Sequence, residues 1–517
     1  MTQAFPQQLT LPIFLDPGLS PHTPGIPRAR RIFCNRNLRM SGVSWVGFDM
    51  DYTLAVYDQL QMDELSIKAT VDKLVARGYP KSIADIPHAT DFPVRGLLID
   101  KRYGHILKMD RFKVVQKGYH GLRELSRDEV RGLYQQKKIR PNTARYHWID
   151  TLYALSEATI YTGVVDAFER RGLELDFSRL FTDIRECIDE AHRDGTILDA
   201  VNSDLPRYVD RDPLLAQTLH KLRSAGKKLF LLTNSRWAYT ERMMNYLLGG
   251  AMPEYPSFRH YFDVIIVAAM KPAFFQEQRP LMRRDGPGPE GLRPATAPLE
   301  RGAIYEGGNL LDFEQALGVT GDRILYVGDH IYGDILRSKR DSAWRTAMII
   351  QEMEAEVVAH EACRELHRKS AELEERREEL EDQLRYYQQR YKELTRKIDE
   401  EPAKNGAPRA LNGAAAVPTP PPTENHEADR GRAKRAVERI RGQLRAVDTE
   451  ATAIEREIAQ RFHPYWGSLL KEANETSSFG DQVEEYACLY TSRVSNLLAY
   501  SPLQYFRSPR DLLPHEL

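Results

Sequence analysis

Short runs of β-branched and aromatic residues recur along this chain at wide intervals: 43–48 (VSWVGF), 228–232 (KLFLL), 263–268 (DVIIVA), 324–327 (ILYV) and 346–350 (TAMII). Helical patterns lie between several of them, such as PLLAQTLHKLRSAG before the second run and YTERMMNYLLGG after it. Apolar strands that alternate with helices predict an α/β fold, with a parallel sheet covered by helices on both faces. Ligands of such sheets bind beyond the carboxyl ends of the strands. The polar residues that follow each run are therefore the place to look for chemistry.

The same patterning divides the chain. Roughly 175 residues separate the first run from the second, far more than a crossover needs, which predicts an inserted cap domain over residues 55–205. The core is then expected over 29–54 and 206–351, after a loose proline-rich arm at 1–28. A second insertion, 276–302, is rich in Pro, Gly and Arg and predicts a loop or hairpin with little core. Beyond 350, Leu366, Leu373, Leu380, Leu384, Tyr387, Tyr391, Leu394 and Ile398 form an apolar stripe among dense charges. A low-complexity segment, 401–432, is expected to be a disordered linker. Val437, Ile440, Leu444, Val447, Ala451, Ile454 and Ile458 then resume the stripe. The two stripes predict an antiparallel, coiled-coil-like helical hairpin over 352–462; the alternative pairs each with another subunit. Residues 463–517, rich in aromatics, are expected to pack on the core.

Composition narrows the function classes. Lys and Arg number 73 against 74 Asp and Glu, a net charge of −1, which argues against a nucleic-acid surface. Four scattered cysteines form no zinc-like cluster and suit a reducing compartment. The amino-terminal arm lacks the basic, apolar, small-residue order of a signal peptide. The longest apolar run, VIIVAAM, is far too short to cross a membrane. A cytoplasmic protein is expected.

The strand ends carry the chemistry. The first run leads straight into Asp49 and Asp51 (VGFDMDYTLAVY), two like charges that repel unless a cation joins them. After KLFLL come Thr233, Asn234 and Ser235; after VIIVAAM comes Lys271; after ILYVG come Asp329 and Asp334, in GDHIYGDI. Any one of these is unremarkable, since surface acids, helix caps and solvated lysines are common. Four in order, at four strand ends, predict a divalent-cation site beside an oxyanion site. Hard Mg²⁺ takes oxygen ligands such as Asp49 and Asp329, a backbone carbonyl and water. A carboxylate there can attack phosphorus, and a second, kept protonated by its crowded neighbours, can protonate the leaving alkoxide. The Lys271 ammonium and the Thr233 and Asn234 donors would hold the phosphoryl oxygens.

DMDYTL, LLTNS, the Lys271 motif and GDHIYGDI resemble motifs I to IV of the haloacid-dehalogenase (HAD) superfamily. RIFCNRNLRM, FDMDYTLAVY, PVRGLLIDKRYGHILKMD, GDHIYGDILRSK and YSPLQYFR are similar to one branch, the cytosolic purine (IMP/GMP-specific) 5′-nucleotidases, from about residue 29 to 517. The resemblance implies an HAD-like Rossmannoid core with a cap. It implies Asp49 as nucleophile and Mg²⁺ ligand, and Asp51 as acid/base and metal ligand through its carbonyl. Thr233, Asn234 and Lys271 would bind phosphate, Asp329 would complete the metal site, and Asp334 would support it. In the cap it implies base and sugar recognition by Tyr153, Arg185, Asp189 and His192; by spacing alone, the last three form only one helix face, such as a salt-bridged surface would show. Ala154 and Leu198 depart from the family's Asn and Lys, which bears on the preferred base. Members hydrolyse nucleoside 5′-monophosphates, can transfer the phosphoryl group to a nucleoside, and are commonly homo-oligomers, so a dimer or tetramer is expected. A scaffold retaining an idle core, acting through its coiled coil, is the reading from another class. It gives no reason to hold so many costly charges together.

Overall fold

The computed structural model describes residues 25–135, 139–286, 288–336, 342–405, 426–472 and 474–509, in two compact units, 1–357 with 469–517 and 358–468.

In the first unit the five apolar runs become strands of a ten-stranded sheet. Seven strands run parallel in the order Leu489–Thr491, Arg345–Ile349, Ile324–Gly328, Trp45–Phe48, Lys228–Leu232, Val264–Val267, Ile304–Gly307. Phe33–Cys34 closes one side antiparallel, and the hairpin Leu281–Arg284/Leu292–Pro294 closes the other. The 276–302 insertion is thus a hairpin that widens the sheet, and its Leu281 reaches the core. Two parallel strands escape the apolar-run pattern, Ile304–Gly307 and Leu489–Thr491. Each offers only two fully buried side chains, too few to stand out as a run.

The sheet is central because both faces of its strands are buried. One face packs Trp45, Phe230, Ile266 and Tyr326 with Phe313 and Trp344. Gly47 is required there, since a Cβ would meet the Phe230 ring at 2.1 Å. Another cluster joins Ile331, Ile335, Met348 and Ile350 to Leu469, Phe479, Val483 and Ala487. The segment after the hairpin is therefore part of the core and supplies one of its strands, beyond packing on it.

The long insertion folds into a five-stranded antiparallel sheet, in the order Arg123–Glu124, Val115–His120, His105–Met109, Leu97–Asp100, Tyr146–Ile149. The helix Ala154–Arg170 packs on it, and the helices Gln59–Ala76 and Phe177–Arg193 pack on that helix and on each other. Asp176 caps the last of these by accepting from the N–H groups of Ser178 and Arg179, each at 3.0 Å. That cap fixes the start of the helix carrying Arg185, Asp189 and His192.

In the second unit the helices Arg364–Asn405 and His426–Arg461 pack on each other. Leu380, Leu394, Ile440 and Ile454 are buried in their seam, and Arg377 reaches Asp448 across it at 3.6 Å. The stripe pairs within one chain. Helix extends into both ends of the expected linker, through 401–405 and from 426; residues 406–425 lie outside the described set. Ala433 and Ala436, just past the expected linker, are buried like the stripe positions. Among the described residues no helix is long and apolar enough to cross a membrane.

Candidate active site

Parallel register brings the motifs together. Phe48 lies opposite Val327 on one side and Leu231 on the other, so Asp49, Asp329 and Thr233 leave the sheet side by side. The Asp49 N–H extends the ladder to the Val327 carbonyl at 2.9 Å, and the Thr233 N–H does so to Ile266 at 3.0 Å. Past Asp49 the chain turns sharply: the Met50 carbonyl accepts from the N–H groups of Leu54 and Ala55, and Tyr52 sits at φ 54°. A left-handed tyrosine is a strained conformation of the kind that gathers at functional sites.

Lys271 is delivered by a similar device. Ala268 and Met270 take φ values of 45° and 57°, bending the chain after Val264–Val267. Asn234 then grips the Lys271 backbone from both ends of its amide: Oδ1 accepts from the N–H at 2.6 Å and Nδ2 donates to the carbonyl at 3.0 Å. The Lys271 ammonium lies 3.0 Å from Asp49 Oδ1 and donates to Asp334 Oδ1 at 2.6 Å and to the Tyr326 hydroxyl at 2.8 Å. The Tyr326 hydroxyl in turn donates a hydrogen bond to the Leu232 carbonyl at 3.0 Å. The Asp334 side chain folds back against Gly328, where a Cβ would meet it at 2.6 Å; hence the glycine of GDHIYGD.

Asp49, Asp329 and Asp334 each bring a carboxylate oxygen within 4.8 Å of the other two. Among the described residues, Lys271 is the one ammonium in ion-pair contact with this cluster, reaching Asp49 and Asp334. Burial pushes Asp49 well above the ordinary carboxylate range; Lys271 opposes this, while Asp334, Asp329 and Asp51 add to it. Asp329 is driven to about 7 by burial and then by Asp334. Lys271 itself is drawn down by burial, but Asp334 and Asp49 outweigh this and raise it. Three close carboxylates sharing one described ammonium, all hard oxygen donors, fit a hard divalent cation.

Asp51 points elsewhere. Its carboxylate accepts from the Tyr57 hydroxyl and from Ser235 Oγ, both at 2.6 Å, and Tyr57 is joined to the Tyr239 hydroxyl at 2.7 Å. Burial raises Asp51, and the two hydroxyl donors hold it back. The carboxylate is thus held apart from the acid triad.

The cap residues fall into two linked pairs. Tyr153 meets Tyr52 of the first motif edge-on at 4.7 Å and meets His192 at 5.8 Å. Arg185 pairs with Glu157 at 2.5 Å and lies 3.8 Å from Asp189, which is exposed. Ala154 is buried and Leu198 half-buried. His330 of the fourth motif approaches Asp150 at 3.4 Å, tying motif to cap.

Several further residues complete the site without a role assigned from the sequence. Tyr57 and Ser235 stand inside the quoted motifs and carry hydroxyls, which is a usable signal. Tyr326 reads as one more strand hydrophobe. Glu157 and Arg95 are single charges in apolar stretches, and a charge there needs a buried partner.

A 5′-nucleotidase domain-containing protein of Dictyostelium discoideum is 28% identical over 494 residues, 94% of this chain and 74% of that protein. The 5′-nucleotidase domain-containing protein 2 of Homo sapiens is 32% identical over 352 residues, 66% of each chain. The rat protein of that name is 33% identical over 353 residues, 66% of this chain and 62% of its own length, so the chain spans under two thirds of it. Among solved structures, a predicted phosphoglycolate phosphatase from Haemophilus somnus is 13% identical with a TM-score of 0.25, covering 60% of this chain and 85% of that one. That likeness is too loose to argue from. The match to the family model is of another order: it runs over residues 32–517, and the chain belongs to the 5′ nucleotidase family.

Proposed function

We propose that this chain is a Mg²⁺-dependent 5′-nucleotidase that hydrolyses nucleoside 5′-monophosphates through an aspartyl-phosphate. The observation that carries the reading is the convergence of Asp49, Lys271, Asp329 and Asp334 beside a separately held Asp51.

Asp49 is the nucleophile. One of its oxygens is held by Lys271 and by the Met50 N–H at 2.8 Å; its carboxylate attacks phosphorus, forming the P–O(Asp49) bond as the bond to the sugar 5′-oxygen breaks. Asp51, protonated at this stage, gives its proton to the departing 5′-alkoxide; Tyr57 and Ser235 hold its carboxyl in place. Asp51 then takes a proton from water, whose oxygen attacks the acyl phosphate, releasing phosphate and restoring Asp49. Lys271 offers its ammonium to the phosphoryl oxygens, with Thr233 and the main-chain N–H of Asn234 beside it; the Asn234 side chain is committed to the Lys271 backbone. Asp49, Asp329 and the Asp51 carbonyl would hold Mg²⁺, and Asp334 would keep Lys271 in place. When bound, the cation supplies the positive charge that lets Asp49 stay ionised and offsets the phosphoryl oxygens.

For the substrate's other end, the aromatic Tyr153 beside the motif turn supports base stacking, and Arg185, Asp189 and His192 share one helix facing it. A purine of the IMP/GMP type fits the family branch that the motifs resemble. Buried Ala154 can make no side-chain hydrogen bond to the base, so stacking carries more of the recognition here.

The test is phosphate release from a panel of nucleoside monophosphates with and without Mg²⁺, together with Asp49→Asn. The substitution keeps the shape and should lower kcat by about four orders of magnitude or more. Near-normal turnover by Asp49→Asn would rule out this nucleophile, and metal-independent turnover would rule out the cation.

A further inference from the structure

Arg95 is a wholly buried guanidinium that takes no part in the phosphoryl chemistry. It lies in PVRG, just ahead of the first cap-sheet strand, Leu97–Asp100. Its side chain is 0% exposed. Nε and one terminal nitrogen fork onto Glu352 at 2.8 and 2.6 Å; the other terminal nitrogen donates to the main-chain carbonyl of Asp329 at 3.1 Å. The Phe479 ring lies 5.2 Å from the guanidinium carbon. Even the neighbouring backbone is pressed against that ring: Gly96 has φ +85°, and a Cβ on it would meet Phe479 Cβ at 2.4 Å.

A buried ion pair is weak evidence for stability, because an apolar pair of similar volume often serves as well. What an apolar pair cannot do is hold a carbonyl. Asp329 follows Gly328, a residue without a side chain to anchor it, and among the described residues only the Thr53 hydroxyl, at 3.4 Å, hydrogen-bonds the Asp329 carboxylate. The direction of the Asp329 carboxylate is thus governed by its peptide unit, which Arg95 grips.

We propose that Arg95 is a positioning residue of the metal centre: by tethering the Asp329 carbonyl it aims the Asp329 carboxylate at Asp49, and Glu352 and Phe479 hold it in that pose. This rests on the metal-dependent reading of the same site. Groups behind a metal ligand typically change metal affinity by about 10- to 100-fold when removed.

The experiment measures Mn²⁺ and Mg²⁺ binding to the full, metal-stripped chain by calorimetry, without substrate, alongside its thermal unfolding. Arg95→Met combined with Glu352→Gln removes the buried cation together with its counter-charge. Its metal Kd should rise by about 10- to 100-fold while the metal-free melting midpoint stays close to that of the wild type. Glu352→Gln alone leaves the Asp329 tether and should change Kd by less than about threefold. If the double variant fails to fold, Arg95→Lys serves: it keeps the charge but lacks the fork, and should show the same loss of affinity. Wild-type affinity in the double variant or in Arg95→Lys overturns the proposal, as does a wild-type chain that binds neither ion. A wild-type chain that binds metal but releases no phosphate from nucleotides would sink the nucleotidase reading and leave this one standing.

Discussion

The strand-end site and the cap face handle charge in opposite ways. Around Lys271 the acids are shielded from water, and Asp49 and Asp334 are held by short contacts to its ammonium; the Lys271 and Asp334 side chains are 2% and 1% exposed. On the cap helix Phe177–Arg193, Arg185 is 37% and Asp189 57% exposed, and only Glu157 beneath them is sealed from water. The first region is over-determined, so its geometry belongs to the fold. The second is long side chains on a half-open surface, so its geometry is less tightly fixed by the fold. On the proposed function, the phosphoryl chemistry belongs to the former and ligand selection to the latter.

That contrast can be broken most forcefully at Lys271. Lys271→Met removes the ammonium paired with Asp49 and Asp334 and should lower kcat/KM by about two to three orders of magnitude; a loss under about tenfold would show that the strand-end charges are not coupled as described. The next largest effect concerns the sealed acid of the cap. Burial, against the pull of Arg185, drives Glu157 from 4.5 up to about 7. The folded chain therefore keeps a proton that the unfolded chain gives up, and stability falls as pH rises from about 4.5 through about 7. Glu157→Gln carries no such proton. Relative to wild type it should gain up to about 3 kcal/mol between pH 5 and pH 8 in denaturant unfolding; a gap independent of pH would mean Glu157 is not buried as an acid. The smallest effect belongs to the open face. Arg185→Ala should raise KM for a nucleoside monophosphate by about tenfold with kcat little changed, since a partly exposed cation contributes modestly. A fall in kcat as large as that of Lys271→Met would erase the distinction between the two regions.

The same contrast governs what the sequence could reveal. Asp49, Lys271 and Asp329 are legible because a parallel sheet forces the residues after its strands into one line. Charges placed at those buried strand ends are too costly to keep unless they meet one another or a ligand. The stripe of Leu380, Leu394 and Ile440 is legible because helical period and burial coincide. Ile304–Gly307 and Leu489–Thr491 are not, because their strand state comes from neighbours and not from their own short runs. Asn234 looks like a phosphate ligand in sequence, yet its amide is spent on Lys271, a pairing of residues 37 apart that no local pattern encodes. Arg95 and Glu352, 257 apart, are hidden for the same reason.

The strand Leu489–Thr491 sits between Arg345–Ile349 and Phe33–Cys34, so one margin of the sheet is sewn from the two ends of the described chain. During synthesis, Phe33–Cys34 would wait for a partner until more than 450 further residues had emerged. Until then the Arg345–Ile349 strand would present a bare edge, the kind that recruits stray strands. Shortening the polypeptide by a few dozen residues at its far end would therefore be felt first as clumping in the cell, although every acid of the pocket would still be encoded.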